Sequence, residues 1–206
     1  MSKVQLAGPL LVVSAHPDDM ELMAGGLVAR AISQGLDAYS LVISDGCENG
    51  TAVIRKNELM QAAKVLGLKG VRLCGMKDGR IPHNIDMVRM VEDYIDEVSP
   101  AMVITHTDHD THQDHKNVCN ITLSAARVKS SIVLLGETPS SYMSENLVYC
   151  DISDTLDIKC KALAKYKSQI KDGPINIKEV KTLAAYRGSR VRIKYAEAFV
   201  NWRMLL

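Results

Sequence analysis

The chain carries no surplus of either charge. Its 206 residues include 25 basic and 24 acidic side chains, for a formal net charge of +1. Nucleic acids and anionic membrane surfaces are both bound through a basic excess, so this balance gives no case for either partner. Paired cysteines are missing as well. Cys47, Cys74, Cys119, Cys150 and Cys160 are an odd number, widely spaced, with no CxxC among them. That argues for a reducing compartment and against a disulfide framework. No apolar run approaches the ~20 residues that span a bilayer. The apolar N-terminal stretch runs straight into His16-Pro17-Asp18-Asp19, so a signal peptide would have to be cleaved inside that motif. These absences predict a cytoplasmic protein with no membrane segment. Internal repeats, low-complexity tracts and linker-like shifts are also lacking, so residues 1–206 are expected to form a single domain. At 47% hydrophobic residues it has the material for a sizeable core.

What is present alternates. Leu10–Ser14, Tyr39–Ser44, Val71–Cys74 and Met102–Thr105 are short apolar runs without polar alternation, the mark of strands covered on both faces. Ile132–Leu135 and Leu147–Asp151 are two further strand candidates. Helical spacing runs through Leu22–Gln34, Thr51–Leu66, Asp86–Val98 and about Asp114–Val128, then through Thr155–Ile170 and Ile177–Tyr186. Asn84 offers a cap for the third helix and Pro100 ends it. The βαβαβαβαβ pattern followed by helices predicts an α/β protein: a Rossmann-like three-layer fold with a mostly parallel sheet and helices on both faces. Gly25-Gly26 is too short for a phosphate-binding fingerprint and is read as letting its helix pack close to the sheet. The polar, turn-rich stretch Gly136–Glu145 is the candidate for a mobile lip over a site.

Five of the six histidines fall in two stretches, Ala15-His16-Pro17-Asp18-Asp19 and His106-Thr107-Asp108-His109-Asp110-Thr111-His112-Gln113-Asp114-His115. Each follows a predicted strand, where α/β folds place their sites. Imidazole and carboxylate together are a catalytic zinc ligand set, and neither stretch alone supplies enough ligands. Pro17 stiffens the first turn. Two adjacent aspartates there are better tolerated beside a cation, although a helix cap on an exposed turn would use the same residues. The second stretch could be a solvated loop or an adventitious metal tract. Its start at a strand end and its finish on a helix favour a functional role. His83, isolated beside Pro82, is read as structural or peripheral.

Taken together, these residues resemble a known family. Ala15-His16-Pro17-Asp18-Asp19 with Gly25-Gly26 resembles the AHPDD(E)…GG signature of the PIG-L/LmbE-like zinc N-deacetylases. His106-xxx-Asp110-x-His112-x-Asp114-His115 matches their second signature, HxxxDxHxDH, at every defined position. Ser44-Asp45-Gly46, Gly50-Thr51 with Arg55 and Glu58, Lys77-Asp78-Gly79, Tyr186-Arg187-Gly188 and Tyr195–Phe199 resemble further family segments in the same order. The resemblance implies that His16, Asp19 and His115 bind one Zn2+, another divalent metal being the alternative. It implies Asp18 as general base, and His112 as oxyanion stabiliser or acid oriented by Asp114. Arg55 and Asp78 become candidates for hydroxyl contacts to a sugar. The sequence departs from the pattern at Met20, where glutamate is usual, with Glu21 beside it. It departs again at Tyr166, where many members have histidine.

The expected function is therefore a hydrolase acting on linear amide C–N bonds, an N-deacetylase whose partner is a small-molecule N-acetylated aminosugar or its conjugate. Another amide in a small metabolite is the alternative substrate. A two-metal phosphoesterase would need a bridging carboxylate and a second ligand set. A non-catalytic Rossmann-like protein that binds metal or a small molecule would have no need of Asp18 and His112. The sequence leaves the oligomeric state open, a homo-oligomer included.

Overall fold

The computed structural model describes residues 5–142, 144–145 and 147–205. Its strands are β1 (Leu10–Ser14), β2 (Ala38–Ser44), β3 (Gly70–Met76), β4 (Met102–His106), β5 (Ile132–Gly136), β6 (Leu147–Asp151) and β7 (Ala196–Met204). They form one sheet in the order β3-β2-β1-β4-β5-β7-β6. β1, β2, β3, β4 and β5 pair in parallel, whereas β7 runs antiparallel to both β5 and β6. The helices are α1 (Asp19–Ser33), α2 (Ala52–Leu66), α3 (Ile85–Val98), α4 (Gln113–Ala126), α5 (Leu156–Leu163), α6 (Lys167–Asp172) and α7 (Ile177–Arg190). No helix among the described residues is long and apolar enough to cross a membrane.

Alternation along the central strands supplies two cores at once. Leu10 and Val12 of β1 pack with Met23 and Leu27 of α1, Leu59 of α2 and Leu163 of α5 on one face. Leu11 and Val13 pack with Val91 and Ile95 of α3 and with Val118 and Ile121 of α4 on the other. This is why the strands read as unbroken apolar runs. The third helix begins where expected: Asn84 accepts the main-chain N–H of Met87 at 3.0 Å, and Ser99 closes the far end in a left-handed conformation just before Pro100.

The expected α/β class with a mostly parallel sheet is observed, with three corrections of detail. The chain does not finish in helices: β7 inserts between β5 and β6. Its sequence, AEAFVNWRM, mixes charged and amide groups into the run, and buried Glu197 is tolerated because Lys159 meets it at 2.7 Å and main-chain N–H groups donate to it. The helix expected over Thr155–Ile170 is two, because the chain turns at Ala164–Tyr166 and sends Tyr166 into the core. The glycine pair serves α5 and its approach rather than the sheet. A Cβ on Gly25 would meet Lys159 Cγ at 3.2 Å, and one on Gly26 would meet Ile152 Cγ2 at 2.6 Å. That close approach also lets Glu197 accept the main-chain N–H groups of Gly26 and Leu27 at 2.8 and 2.7 Å.

The strand order reverses between β1 and β4. Their C-terminal ends therefore lie side by side at the one place where the crossovers leave in opposite directions, the crevice that open α/β sheets use for ligands. Gly26→Ala should cost about 1–3 kcal/mol through overpacking against Ile152. Urea unfolding reads this as a lower midpoint, and an unchanged midpoint would show that the close approach is not required.

Candidate active site

β1 and β4 bring the two histidine-bearing stretches into contact. His16 Nδ1 lies 3.2 Å from Asp19 Oδ2 and 3.2 Å from His115 Nε2, and His115 Nε2 lies 3.5 Å from Asp19 Oδ1. The ring of His115 is stacked between those of His106 and His112, with centroids 4.1 and 4.6 Å away. The cavity lined by His16, Asp19, His112 and His115, about 300 Å³, is also lined by Asp18, Arg55, Asp78 and Gln169.

Local backbone geometry explains how Asp18 and Asp19 diverge. Asp18 adopts φ 107°, ψ −27°, a left-handed conformation that is costly for a residue with a Cβ and that turns its carboxylate away from the helix it precedes. It makes no side-chain cap on α1, so the simple capping alternative for this aspartate is not what the structure contains. Asp19 instead folds back, accepting the main-chain N–H of His16 at 2.7 Å. Asp18 Oδ2 receives Arg55 Nη2 at 3.0 Å, and the same guanidinium nitrogen donates to the Pro17 carbonyl. Gly46 is needed beside this contact, since it has φ 64° and a Cβ there would sit 2.9 Å from Arg55 Nε.

Charge is concentrated here and largely out of water. Burial raises the Asp18 pKa, and although Arg55 opposes it, the neighbouring Asp19 adds to it, leaving Asp18 at about 7. Burial acts the same way on Asp19, but His115, His106 and His16 outweigh it and hold its carboxyl well below the usual range. Burial disfavours the charge on His16. Asp19, Asp114 and Asp78 overcome that and push it up to about 12. His106 is driven down to about 4 by burial and by His115, so it is neutral; its Nε2 accepts from the Ala15 N–H at 3.0 Å.

Two sets of side chains could hold a metal ion: His16, Asp19 and His115, or His16, His112 and Asp114. The second set is already committed. Asp114 accepts from the main chain of Gly79 and Ile81 at 2.8 and 3.3 Å, and His112 Nδ1 accepts from the Asp114 N–H at 3.2 Å. The first set turns its donor atoms toward one another, His16 Nδ1 meeting both Asp19 Oδ2 and His115 Nε2. Asp110 Oδ2 lies 3.0 Å from His115 Nδ1, which places the ring proton there and leaves the Nε2 lone pair facing His16. The two imidazole nitrogens are 3.2 Å apart, close to the ~3.3 Å edge of a tetrahedron with bonds of about 2.0–2.1 Å, and Asp19 sets Oδ2 3.2 Å from His16 and Oδ1 3.5 Å from His115. This donor set fits a zinc-sized ion.

Each expected site residue can now be located. His16, Asp18, Asp19, Arg55, Asp78, His112 and His115 all line the cavity. Asp114 is buried beneath it, and its carboxylate does not reach the His112 ring as expected. It holds the turn at Gly79–Ile81 and faces His16 Nε2 at 3.5 Å. Asp78 Oδ1 lies 2.9 Å from His16 Nε2, within ion-pair distance but without a formed hydrogen bond. Arg55 keeps Nε and Nη1 without a hydrogen-bond partner. His83 and His109 are exposed. The expected mobile lip is tied down over the described part of its length: Ser141 Oγ donates to Asp110 Oδ2 at 2.7 Å, and the Thr138 and Ser140 hydroxyls reach His115 Nδ1. Met143 of that stretch lies outside the described residues. Sequence reasoning gave no role to Asp110 or His106, although both occupy defined positions of the second signature. It also treated the departures at Met20, with Glu21 beside it, and at Tyr166 as separate. In the structure the Tyr166 hydroxyl donates to Glu21 Oε1 at 3.1 Å, and its ring lies 5.7 Å from the Arg55 guanidinium.

A doubly wound sheet with a His/Asp cluster at its switch point defines a class of α/β proteins with a metal-competent site. The profile of one such family, PIG-L (GlcNAc-PI de-N-acetylase), matches residues 11–126, and the chain belongs to that family. The uncharacterized deacetylase YaiS of Escherichia coli is 32% identical over 77% of this chain and 90% of its own length. Diacetylchitobiose deacetylase of Thermococcus kodakarensis is 23% identical over 91% and 80%. A probable N-acetyl-alpha-D-glucosaminyl L-malate deacetylase of Bacillus cereus is 29% identical over 78% and 83%. The expectation of a deacetylase agrees with these relatives. Among solved structures, the conserved protein TT1542 of Thermus thermophilus superposes with TM-score 0.84 at 27% identity over 96% of both chains. GalB, a 4-carboxy-2-hydroxymuconate hydratase of Pseudomonas putida, superposes with TM-score 0.81 at 21% identity over 96% and 97%. The fold thus serves more than one reaction, and the site has to carry the functional argument.

Burial and the Asp18 charge raise the Glu21 pKa from its ordinary 4.5 to about 8. A carboxyl whose folded pKa lies above its unfolded one contributes fully below the unfolded value, and that contribution is lost as pH rises through the folded one. Stability should therefore fall between pH 5 and 8.5 at fixed metal content. Glu21→Gln should flatten that decline in a thermal melt; an equally steep decline in the variant would reject it.

Proposed function

We propose that the protein is a zinc-dependent N-deacetylase acting on a glucosamine-type sugar or sugar conjugate. The observation that carries this reading is the cluster of donor atoms that His16, Asp19 and His115 turn toward one another, with Asp18 beside it and its pKa at about 7. His16, Asp19 and His115 would hold the ion, which when bound acidifies a water and polarises a carbonyl oxygen. Asp110 holds His115 in the tautomer a ligand needs, and His106 supports its ring from below.

The remaining chemistry belongs to the chain's own groups. A carboxyl with its pKa at about 7 is balanced between taking and giving a proton at neutral pH, the condition for a general base that must later return the proton to a leaving amine. Arg55 orients Asp18 through Nη2 and lines the cavity as a candidate for contacts to substrate hydroxyls. His112 accepts from the Asp114 N–H through Nδ1, so its single ring proton sits on Nε2. Burial and the neighbouring His115 and His16 lower its pKa and keep it neutral. From there it donates a hydrogen bond to the amide oxygen as negative charge grows, a contribution of about a hundredfold or more in rate. Asp114 acts as a positioning residue for the turn that carries Asp78.

Metal analysis should find about one zinc per chain. Asp18→Ala should keep the metal and lose about 10²–10⁴-fold in kcat, the usual weight of a general base. His115→Ala should lose metal and activity together. The deciding assay incubates the zinc-loaded protein with N-acetylated aminosugars and measures primary amine released. Undiminished turnover in Asp18→Ala would refute the base assignment. Water added to an unsaturated acid with every amide intact would move the protein to the reaction of its hydratase neighbour.

A further inference from the structure

A second cavity of about 320 Å³ opens beside the first and shares Leu22, Thr138, Pro139 and Pro174 with it. Both volumes sit at the lower end of the ~300–1,000 Å³ range of small-molecule pockets, so each suits one compact unit rather than a whole conjugate. Leu22, Thr138 and Pro139 stand at the junction, so a ligand at the metal-competent cluster that grows past them enters the second cavity. The two cavities are one cleft in two compartments.

The second compartment is polar yet carries no free cation among its described residues. Arg187 is bound to Glu137 as an ion pair, and Lys159 Nζ is held by Glu197 Oε1 at 2.7 Å and by the Leu22 carbonyl at 2.7 Å. Glu179 is the fifth charged group and receives only the Asn176 amide, at 2.9 Å, so two cations face three carboxylates. An anionic group entering here would leave water for a wall with no cation to meet it, and burying charge without a partner is costly. A neutral polyol loses no charge solvation. It finds acceptors on Glu137 and Glu179, a hydroxyl on Ser141, and apolar wall from Val180, Leu183 and Pro139 for its C–H faces.

Building on the deacetylase reading above, we propose that this compartment is a subsite for the second unit of the substrate, and that the unit is an uncharged sugar or polyol joined to the N-acetylated one. The selection comes from α7 and the loop after β5, elements apart from the two histidine stretches. Val180, Leu183 and Arg187 lie on one side of α7, while Glu137, Pro139 and Ser141 follow β5.

The test compares kcat/KM of the zinc-loaded protein, by amine release, on N-acetylglucosamine, N,N′-diacetylchitobiose and N-acetylglucosaminyl malate. Diacetylchitobiose should exceed the monosaccharide by about tenfold or more, with the malate conjugate below it. Leu183→Trp, a substitution at a half-exposed position that fills the compartment, should abolish the disaccharide advantage and leave the monosaccharide within about twofold of the unmodified protein. Glu179→Lys should narrow the gap between the malate conjugate and the disaccharide. Hydrolysis of the monosaccharide with no gain from a second unit, or preference for the malate conjugate, overturns this inference and leaves the deacetylase reading standing. Release of amine from none of the three overturns both.

Discussion

Five carboxylates and four imidazoles share one pocket at the sheet's switch point, and among the described residues only Arg55 brings permanent positive charge to them. Everything around the site follows from balancing that deficit. Protons supply part of the compensation: His16 is held protonated by Asp19, Asp114 and Asp78 against the cost of its burial. Main-chain N–H groups supply more. Gly79 and Ile81 donate to Asp114, Glu48 donates to Asp78, and His112 donates to Asp110. A divalent cation between His16, Asp19 and His115 would displace the proton and meet the same demand with more charge.

The balance also explains the strain and the close contacts at the site. Left-handed Asp18 separates two consecutive carboxylates that would otherwise point the same way. One goes toward the histidines and the other toward Arg55. Their pKa values are driven in opposite directions by those environments, which is how one turn supplies both a ligand-like anion and a base near neutrality. Behind Arg55, Tyr166 and Glu21 complete the wall with a hydrogen bond between a phenol and a carboxyl that burial keeps neutral.

Much of this was legible in the sequence, and the reasons for the rest are physical. Short apolar runs ending in His-Pro-Asp-Asp and His-Thr-Asp-His located the site, because buried strands and exposed chemistry leave different residue types. The parallel order of the first five strands followed from their alternation with helices. β7 was not legible as a strand, because Glu197 and Asn201 break its apolar pattern and the partner that permits Glu197, Lys159, is distant in sequence. Asp110 and His106 matched their signature yet had no role until His115 was seen between them in three dimensions. The Asp114 carboxylate, two residues from His112, turns to the main chain instead of the ring, which spacing alone does not disclose. Glu21 and Tyr166 are 145 residues apart, and only the turn between α5 and α6 brings them together.

The central claim is that the proton on His16 stands where a metal ion binds. Titrating zinc into the metal-free protein near neutral pH, in weak buffer with a pH indicator, tests this directly. Saturation at one equivalent with release of protons is expected, because the charge that Asp19, Asp114 and Asp78 hold on His16 against its burial must leave before that residue becomes a ligand. Saturation without proton release, or no binding at all, would contradict it.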